Sequence, residues 1–335
     1  MASDLTILGG GSWGTALAVH LSRCGRSVTL WVHDPALADR LGEVRTNVKY
    51  LPGHPIPASV RITSHLGEAL DDATDILLVV PSHHCRRVLE QCRPFLTSRM
   101  SFCSASKGIE NDTLLTVSQI IGEVLGAELR GGIAVLSGPS FADEVAAGHP
   151  TAVVVASADA ALAARLQAKV SAGTLRAYTN GDVMGVELGG ALKNVIAIGA
   201  GAVEGLGHGT NTIAALITRG LAEMSRLGVA LGGRAETLAG LAGLGDLVLT
   251  CTGKLSRNRA LGASLASGLT LKELQAATPM VAEGVRTTLS AFRLASREGV
   301  EMPITGQVHS VLYGGRSPAD AIRELLGRQL TREDL

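Results

Sequence analysis

The chain has 335 residues, of which 46% are apolar and 18% charged, so it is long enough for two folded domains and too apolar to be disordered. Thirty basic and thirty acidic side chains cancel, and only 3% of the residues are aromatic, which argues against a nucleic-acid surface. We therefore expect small molecules as partners and no nucleic acid.

The first predicted element is an apolar strand that runs directly into a glycine-rich loop and a helix over residues 12–24. Gly9, Gly11 and Gly14 have the G-x-G-x-x-G spacing of a dinucleotide-binding loop. In such a loop the glycines allow a tight turn, a close approach of the pyrophosphate and close packing of helix on strand. The N–H groups at the helix start would face the phosphates. The alternative, a glycine-rich turn without a ligand, is disfavoured by the strand–turn–helix context.

The first half of the chain alternates short apolar runs with stretches of helical periodicity. Continuous apolar runs are typical of strands that are covered on both faces of a parallel sheet. We predict strands at residues 5–8, 28–32, 60–63, 76–80, 101–104, 133–136 and 152–155, and helices that include 82–89 and 113–125. Right-handed crossovers then make residues 1–180 a doubly wound α/β domain of the Rossmann type, with its ligand crevice at the carboxyl ends of the strands.

After about residue 180 the β-rich runs stop, and helix-like segments follow that are separated by Gly, Thr-Pro and Met-Pro breaks. Residues 212–227 and 289–298 show helical spacing of apolar side chains. We predict an all-α domain over residues 181–330, followed by a flexible tail at 331–335. Apolar surface on this domain would suit a homodimer, although no residue pattern specifies one.

The cysteines, the histidines and the hydropathy indicate a cytoplasmic protein without metal. The five cysteines are odd in number and have no C-x-x-C spacing, which argues against a disulfide framework or a zinc site. The adjacent His83 and His84 do not form part of a sequence pattern with the spacing of metal ligands. The first residues lead into a strand without the pattern of a signal peptide. The apolar run 195–203 is shorter than the roughly 20 residues of a membrane span, so we expect a buried helix there and no membrane insertion.

The residue after the second strand normally decides which adenine ribose a Rossmann pocket accepts. His33 occupies that position and Asp34 follows it. An acidic residue would bind the 2′-hydroxyl of NAD, whereas a basic one accommodates the 2′-phosphate of NADP. The pair favours NADP(H) and leaves NAD(H) open. Alternatively, His33 is only a polar residue at the end of a strand.

Polar side chains stand among glycines in three further segments: residues 106–110, residues 137–142, and Lys193-Asn194 within an apolar helix. Hydride transfer to a ketone requires that the developing alkoxide be stabilised and protonated. Lys193 is a candidate for that acid, and for the base of the reverse reaction. The alternative is a lysine that extends from an apolar helix to solvent.

Residues 190–201, GALKNVIAIGAG, and their continuation over 204–211 resemble the signature of NAD(P)-dependent glycerol-3-phosphate dehydrogenases, and most closely their bacterial biosynthetic branch. The agreement extends along the chain through the glycine loop and through residues 47–53, 107–109, 138–142, 245–251, 256–259 and 281–284. The resemblance implies reversible reduction of dihydroxyacetone phosphate to sn-glycerol 3-phosphate with NADPH or NADH, which supplies glycerophospholipid synthesis.

The resemblance also implies roles for individual residues, with Lys193 as the catalytic acid and base. The substrate contacts it implies are Lys107, Gly138, Ser140, Lys193, Asp246, Ser256, Arg257 and Asn258. The cofactor contacts are Gly9, Gly11, Ser12, Trp13, Gly14, His33, Tyr50, Lys107, Ala142, Arg257, Val281 and Glu283. An arginine fork with hydroxyl and amide donors suits a phosphate ester. Asp34 departs from the pattern, because some members are basic there, and this weakens a strict preference for NADP.

Two other functions compete with this one. A hydroxyacid or sugar-acid dehydrogenase could share the same plan of a Rossmann domain followed by helices, and fold alone does not separate it. The segment 256–258 and the signature 190–211 favour the triose phosphate. A non-catalytic dinucleotide sensor is the second alternative, against which Lys107, Lys193 and Asp246 argue. Taken singly, 256–259 would be a helix cap with solvated charges and Asp246 a turn residue.

Overall fold

A computed structural model describes residues 4–126, 129, 132–277, 282–329 and 332. The chain divides into two compact units: the first comprises Met1–Lys107 and Thr116–Val183, and the second comprises Gly108–Leu115 and Met184–Leu335. The short segment Gly108–Leu115 belongs to the second unit because Ile109 is part of that unit's apolar core. Apart from residue 332, the predicted tail lies outside the described residues.

The first unit contains an eight-stranded sheet and a two-stranded hairpin. Its strands are β1 (Leu5–Leu8), β2 (Val28–Trp31), β3 (Thr46–Asn47), β4 (Leu51–Pro55), β5 (Arg61–Thr63), β6 (Asp75–Leu78), β7 (Ser101–Ser104), β8 (Ile133–Ser137), β9 (Thr151–Ala156) and β10 (Leu175–Asn180). The large sheet has the order β10-β9-β8-β7-β6-β1-β2-β5, and β3 pairs with β4. Its run β5-β2-β1-β6-β7-β8 has the 3-2-1-4-5-6 order of dinucleotide-binding sheets, which confirms the predicted Rossmann-type fold.

The helices of the first unit are α1 (Ser12–Arg23), α2 (Pro35–Val44), α3 (Leu66–Leu70), α4 (Ser82–Cys92), α5 (Val117–Leu125), α6 (Ala142–Ala147) and α7 (Ala160–Val170), with a 3₁₀ turn at Arg93–Phe95. The strands β1, β2, β6 and β7 are buried along their whole length, as expected for strands covered on both faces, although β7 reads SFCS and is not continuously apolar. β1 and β6 are parallel neighbours, and the strand order of the sheet reverses between them, so the crevice outside their carboxyl ends is the expected place for a ligand.

Each predicted strand is present within two residues of its predicted bounds, and four features differ from the sequence prediction. The hairpin β3–β4 and the strand β10 were not predicted, because β4 reads LPGHP and β10 alternates buried and exposed residues at a sheet edge. β9 runs antiparallel to β8 within the otherwise parallel sheet. The helix predicted from residue 113 begins only at Val117, since Thr116 forms a capping box with Gln119.

The second unit is helical, as predicted. Its helices are α8 (Val183–Gly205), α9 (Thr210–Ala230), α10 (Ala235–Leu238), α11 (Asp246–Thr252), α12 (Arg257–Ala266), α13 (Leu271–Ala277), α14 (Glu283–Glu298), α15 (Pro303–Tyr313) and α16 (Pro318–Leu326), with a π-helical segment at Leu241–Gly245. Among the described helices, α8 is long and apolar enough to cross a membrane, but 83% of its most apolar window is buried inside the structure. We assign it as the core helix of the second unit.

Candidate active site

The three glycines of the G-x-G-x-x-G motif, two in the loop after β1 and one in α1, serve two different purposes. Gly9 has a φ of +133°, and a Cβ there would lie 2.2 Å from the carbonyl oxygen of Val79. A Cβ at Gly14 would lie 2.0 Å from the carbonyl oxygen of Gly9. At Gly11, by contrast, a Cβ would meet no atom of the described residues within 4 Å. Gly9 and Gly14 are thus required by the protein's own packing, whereas Gly11 leaves an open space that fits the pyrophosphate of a dinucleotide.

The start of α1 offers hydrogen-bond donors to such a group. Gly11 is the N-cap residue, and no side chain in the described part of the structure caps the helix there. The first backbone N–H groups of a helix have no acceptor within the helix, and they favour an anion. The indole Nε1 of Trp13 is also buried without a hydrogen-bond acceptor among the described residues. These donors fit a bound dinucleotide.

The hairpin β3–β4 holds the glycine loop through hydrogen bonds. Ser12 Oγ donates to the carbonyl oxygen of Tyr50 over 2.5 Å, which brings together two predicted cofactor contacts. The Nδ2 of Asn47 donates to the carbonyl oxygen of Gly10 (2.9 Å) and to Thr15 Oγ1 (2.8 Å). Its Oδ1 accepts from the N–H of Tyr50 over 3.2 Å. Sequence reasoning gave Asn47 no role beyond its membership of the motif 47–53.

Asp34 and His33 have separate roles after β2. The carboxylate of Asp34 accepts hydrogen bonds from the N–H groups of Ala36 (3.1 Å) and Leu37 (3.4 Å), and so caps α2. His33 is exposed, and its ring centroid lies 5.7 Å from that of Trp31. Because the carboxylate of Asp34 caps α2, His33 remains the exposed polar side chain at the position that was predicted to contact the ribose.

Lys107 follows β7, and Gly138 and Ser140 follow β8. Lys107 Nζ donates to the carbonyl oxygen of Gly138 over 3.0 Å, and Ser140 Oγ donates to the same oxygen over 3.0 Å. Gly138 has a φ of +136°, and a Cβ there would lie 3.0 Å from Val153 Cα, so the turn requires glycine. Ala142 begins α6 a short way further on. Three predicted substrate contacts therefore lie together, next to one predicted cofactor contact.

The second unit holds Lys193 on α8 in a buried polar cluster. Its Nζ donates to Asp246 Oδ1 over 2.6 Å and to Thr250 Oγ1 over 2.8 Å. The side chains of Lys193 and Asp246 are only 8% and 1% exposed. Thr250 in turn donates to the carbonyl oxygen of Asp246 over 2.6 Å. Lys193 is thus an ammonium held in one orientation within a dry environment, and it does not extend to solvent.

Close backbone packing places Asp246 beside Lys193. A Cβ at Gly189 on α8 would lie 2.5 Å from the carbonyl oxygen of Ala242, and one at Gly243 would lie 1.9 Å from that of Leu238. Both glycines bring the π-helical segment Leu241–Gly245 against its neighbours, and Asp246 begins the helix that follows. Single π-helical turns occur often at functional sites. No local pattern in the sequence indicated this segment.

A second polar chain joins α8, α12 and α14. Asn258 Nδ2 donates to Asn194 Oδ1 over 2.8 Å, and Asn258 Oδ1 accepts from the N–H of Gly284 over 3.0 Å. The glycines of the helix signature make this possible, because a Cβ at Gly201 would lie 1.8 Å from the carbonyl oxygen of Arg259. The amide of Asn258 is therefore held in a fixed orientation on the helix that follows Ser256.

The remaining predicted residues of the second unit differ in their surroundings. Ser256 is buried, and its Oγ accepts from the N–H of Arg259 over 3.2 Å, so it caps α12. Arg257 is exposed and, in the described part of the chain, has no carboxylate partner. Glu283 is half-buried at the start of α14. Val281 lies outside the described residues. No group of three or more potential metal ligands occurs within the residues that the structure describes.

A Rossmann-type sheet with a phosphate-binding loop, and a buried lysine oriented by a carboxylate, define the class of nicotinamide-dependent dehydrogenases. A family model described as the NAD-dependent glycerol-3-phosphate dehydrogenase N-terminus matches residues 4–163, and its C-terminal counterpart matches residues 182–323. The chain belongs to the NAD(P)-dependent glycerol-3-phosphate dehydrogenase family.

Known relatives support this assignment along the whole chain. Glycerol-3-phosphate dehydrogenase [NAD(P)+] of Koribacter versatilis is 51% identical over 333 residues, which cover 99% of each chain. The enzyme of that name from Acidobacterium capsulatum is 54% identical over 335 residues, covering 97% of this chain and 98% of the relative. The crystal structure of glycerol-3-phosphate dehydrogenase from Coxiella burnetii has a TM-score of 0.92 and 42% identity, covering 98% of this chain and 99% of that one.

Proposed function

We infer that the protein catalyses the NAD(P)H-dependent reduction of dihydroxyacetone phosphate to sn-glycerol 3-phosphate, and so supplies glycerophospholipid synthesis. The buried pair of Lys193 and Asp246 carries this inference, within a chain that is about half identical over its full length to enzymes of that name. Of the two competing functions, a non-catalytic sensor would not need the buried, oriented side chain of Lys193, and a hydroxyacid dehydrogenase would not need the phosphate contacts proposed below for Arg257 and Asn258.

Lys193 supplies the acid of the reaction in this proposal. A bound reduced nicotinamide contributes the hydride. As the ketone oxygen gains negative charge, the ammonium of Lys193 stabilises it and donates a proton to it, and in the reverse direction the amine takes that proton back. Asp246 and Thr250 hold the nitrogen in place through two hydrogen bonds, 2.6 and 2.8 Å long. The ammonium therefore needs little reorganisation when the charge develops.

Arg257 and Asn258 recognise the phosphate in this proposal. Arg257 is exposed, and its guanidinium can donate to two phosphate oxygens at once. Asn258 is oriented by Asn194 and by the N–H of Gly284. Lys107, Gly138, Ser140 and Ser256 complete the proposed substrate contacts. Because these contacts bind a dianion, they would make the enzyme prefer dihydroxyacetone phosphate to unphosphorylated dihydroxyacetone.

The cofactor is proposed to contact Gly9, Gly11, Ser12, Trp13, Gly14, His33, Tyr50, Lys107, Ala142, Arg257, Val281 and Glu283. NADPH is the preferred donor, because the carboxylate of Asp34 caps α2 and His33 is displayed at the reading position. NADH is also accepted, since an imidazole side chain leaves room for a 2′-hydroxyl.

The protein works in the cytoplasm as a homodimer in this proposal. A reducing compartment suits five cysteines without a pairing pattern. The second unit exposes large apolar side chains, among them Phe292 and Tyr313, which suit a contact between two copies. Light scattering on the purified chain should give twice the monomer mass, and a mass of 34.5 kDa at micromolar concentration would contradict the dimer.

The test of the function follows the absorbance of NADPH, and then of NADH, after dihydroxyacetone phosphate is added at neutral pH. Unphosphorylated dihydroxyacetone is the matched control, since it has the same ketone without the dianion. Oxidation of the cofactor only with the phosphorylated ketone is expected, and the ratio of the two rates measures cofactor preference. A folded protein that oxidises neither cofactor would exclude the proposed reaction.

A further inference from the structure

The hairpin β3–β4 is tied to the glycine loop by a closed ring of hydrogen bonds. Asn47 donates to the carbonyl oxygen of Gly10 and accepts from the N–H of Tyr50, and the carbonyl oxygen of Tyr50 accepts from Ser12. The loop backbone joins Ser12 to Gly10 and closes the ring. Asn47 is fully buried, at 0% exposure. Its amide uses both its donor and its acceptor, so neither aspartate nor alanine reproduces it.

The far end of the hairpin is tied to α6. His54 Nε2 lies 2.8 Å from Asp143 Oδ1, and Asp143 directly follows Ala142 at the start of that helix. Arg23, the last residue of α1, donates to the carbonyl oxygens of Ala146 (2.6 Å) and Pro55 (3.5 Å). The hairpin, α1 and α6 are therefore linked by His54, Asp143 and Arg23, none of which is a proposed substrate or cofactor contact.

A small apolar cluster lies where α1, β4 and α6 meet. Ala16 of α1, Leu51 of β4 and Ala146 of α6 are buried against one another, and Trp13 and Ala142 pack on them. The three buried residues of the cluster are not part of the main core of the first unit, but Trp13 packs on both. Four proposed cofactor contacts lie on the three elements that meet at this cluster. Ser12 and Trp13 are on α1, Tyr50 is in the turn of the hairpin, and Ala142 begins α6.

We propose that the hairpin β3–β4 is the positioning element of the cofactor pocket, with Asn47 and His54 as positioning residues. This rests on the proposed function in that its ligand is NAD(P)H. A loop that is already held in its binding conformation loses less conformational freedom when the ligand binds. Cutting either anchor therefore weakens dinucleotide binding, although neither side chain is proposed to touch the dinucleotide.

A purely structural role makes a different prediction. If Asn47 only stabilises the fold, its replacement lowers the melting temperature and leaves the affinity of the folded protein unchanged. Ser157 is the matched control, because it is also buried in the first unit and its Oγ donates to the carbonyl oxygen of Ile133 over 2.7 Å. Ile133 begins β8, so this bond lies at the edge of the sheet opposite the carboxyl ends of the parallel strands.

The experiment is calorimetric titration of NADPH and NADH into the wild type and into Asn47→Ala, His54→Ala, His54→Gln and Ser157→Ala, with a thermal melt of each. Asn47→Ala should raise Kd about tenfold, since the loss of an oriented buried hydrogen bond typically weakens binding by about a factor of ten. His54→Ala should raise Kd about threefold, because Asp143 is exposed and the pair is screened. His54→Gln keeps an amide N–H for Asp143 and should restore binding. In kinetics, the KM for the cofactor should rise more than kcat falls.

Ser157→Ala should lower the melting temperature without changing Kd. The inference is overturned if Asn47→Ala and His54→Ala both bind within twofold of the wild type, or if Ser157→Ala weakens binding equally. If Asn47→Ala does not fold, the affinity of His54→Ala for the dinucleotide still tests the inference. A wild type that binds neither dinucleotide overturns both this inference and the proposed function, whereas wild-type binding with unchanged variants overturns this inference alone.

Discussion

Lys193 and Asp246 form a buried ion pair, with 2.6 Å between Nζ and Oδ1. Two charges lose much hydration when they leave water, and their mutual attraction offsets this only when further hydrogen bonds complete the site. Thr250 supplies such a bond to the ammonium. A buried ion pair of this kind contributes little to stability, so we interpret its role as orienting the ammonium of Lys193 for the proposed proton transfer.

Replacement of Lys193 by alanine should therefore affect the chemical step most. We expect Lys193→Ala to lower kcat by a factor of about 10² to 10⁴, since general acid catalysis is worth that much. NADPH binding, measured by calorimetry, should change far less, because the charge matters most as the oxyanion develops. A folded variant with wild-type turnover would remove Lys193 from the catalytic role.

The two glycines that bracket the start of α1 should respond in opposite ways to alanine. Gly14→Ala places a Cβ 2.0 Å from the carbonyl oxygen of Gly9, so the backbone must shift, and we expect a loss of stability of about 2 kcal/mol. The Cβ of Gly11→Ala would meet no atom within 4 Å in the part of the chain that the structure describes, so this variant should melt close to the wild type. Its methyl group enters the space proposed for the pyrophosphate, so Kd for NADPH should rise about tenfold or more.

Thermal melts and calorimetric titration of both variants decide this prediction. If Gly11→Ala bound NADPH as tightly as the wild type, the dinucleotide would not pass close to that backbone. If Gly14→Ala melted at the wild-type temperature, the close approach of α1 to the loop would not be required by the fold.

Cofactor preference should depend on His33 and hardly at all on Asp34. Asp34→Ala removes the N-cap of α2, and we expect a loss of about 1 kcal/mol of stability with an unchanged ratio of kcat/KM for NADPH and NADH. His33→Asp places an acceptor at the reading position and should shift the ratio toward NADH. Steady-state rates with both cofactors measure the ratio. A shift toward NADPH in Asp34→Ala would show that its carboxylate also contacts the ribose.

Arg257 and Arg259 are neighbours on α12 with different surroundings, and they form a matched pair. Arg259 is paired with Glu204 over 2.5 Å, whereas Arg257 is exposed. We expect Arg257→Ala to raise the KM for dihydroxyacetone phosphate about tenfold or more, because a charge-assisted phosphate contact is lost. Arg259→Ala should leave that KM unchanged. Equal effects on the KM in both variants would contradict a specific phosphate role for Arg257.

The nucleotide-binding half of the fold could be predicted because its signals are local. The spacing of the three motif glycines reflects close backbone contacts at Gly9 and Gly14 and the space that Gly11 leaves for the proposed dinucleotide. Buried parallel strands favour apolar runs. The direction of β9 has no such signal, since an antiparallel strand and a parallel one can have the same apolar sequence. The sequence also did not predict that Asp34 caps α2, because an aspartate after a strand suits either a ribose contact or a helix start.

The polar contacts of the site could not be predicted from residue patterns, because their partners are far apart in the chain. Asp246 is 53 residues from Lys193, and Asn258 is 64 residues from Asn194. The family resemblance indicated Lys193, Asp246 and Asn258 as site residues without their contacts. Asn47 received no role, since its function depends on a tertiary contact with Gly10 that leaves no mark on the local sequence.

Asp75 should make the stability of the first unit sensitive to acid. This carboxylate is 1% exposed, and it accepts hydrogen bonds from Ser101 (2.5 Å) and Arg165 (2.9 Å), with Lys169 Nζ 2.6 Å away. Burial raises the pKa of Asp75, but the hydrogen bonds from Arg165, Lys169 and Ser101 outweigh it and hold the pKa below its usual value. The carboxylate therefore stabilises the fold above the unfolded-state pKa of about 3.9, and this stabilisation is lost as the pH falls through the lower folded-state value.

Asp75→Asn should cost about 2 kcal/mol near neutral pH, less than a fully buried pair because Arg165 is partly exposed and solvent screens it. Urea denaturation of both proteins at several pH values from neutral to below the unfolded-state pKa measures the difference in the free energy of unfolding. That difference should shrink as the pH falls, because the wild-type carboxylate becomes protonated. A difference that stayed constant down to that pH would show that Asp75 acts through shape and hydrogen bonding alone, and that its charge contributes nothing to the stability of the sheet.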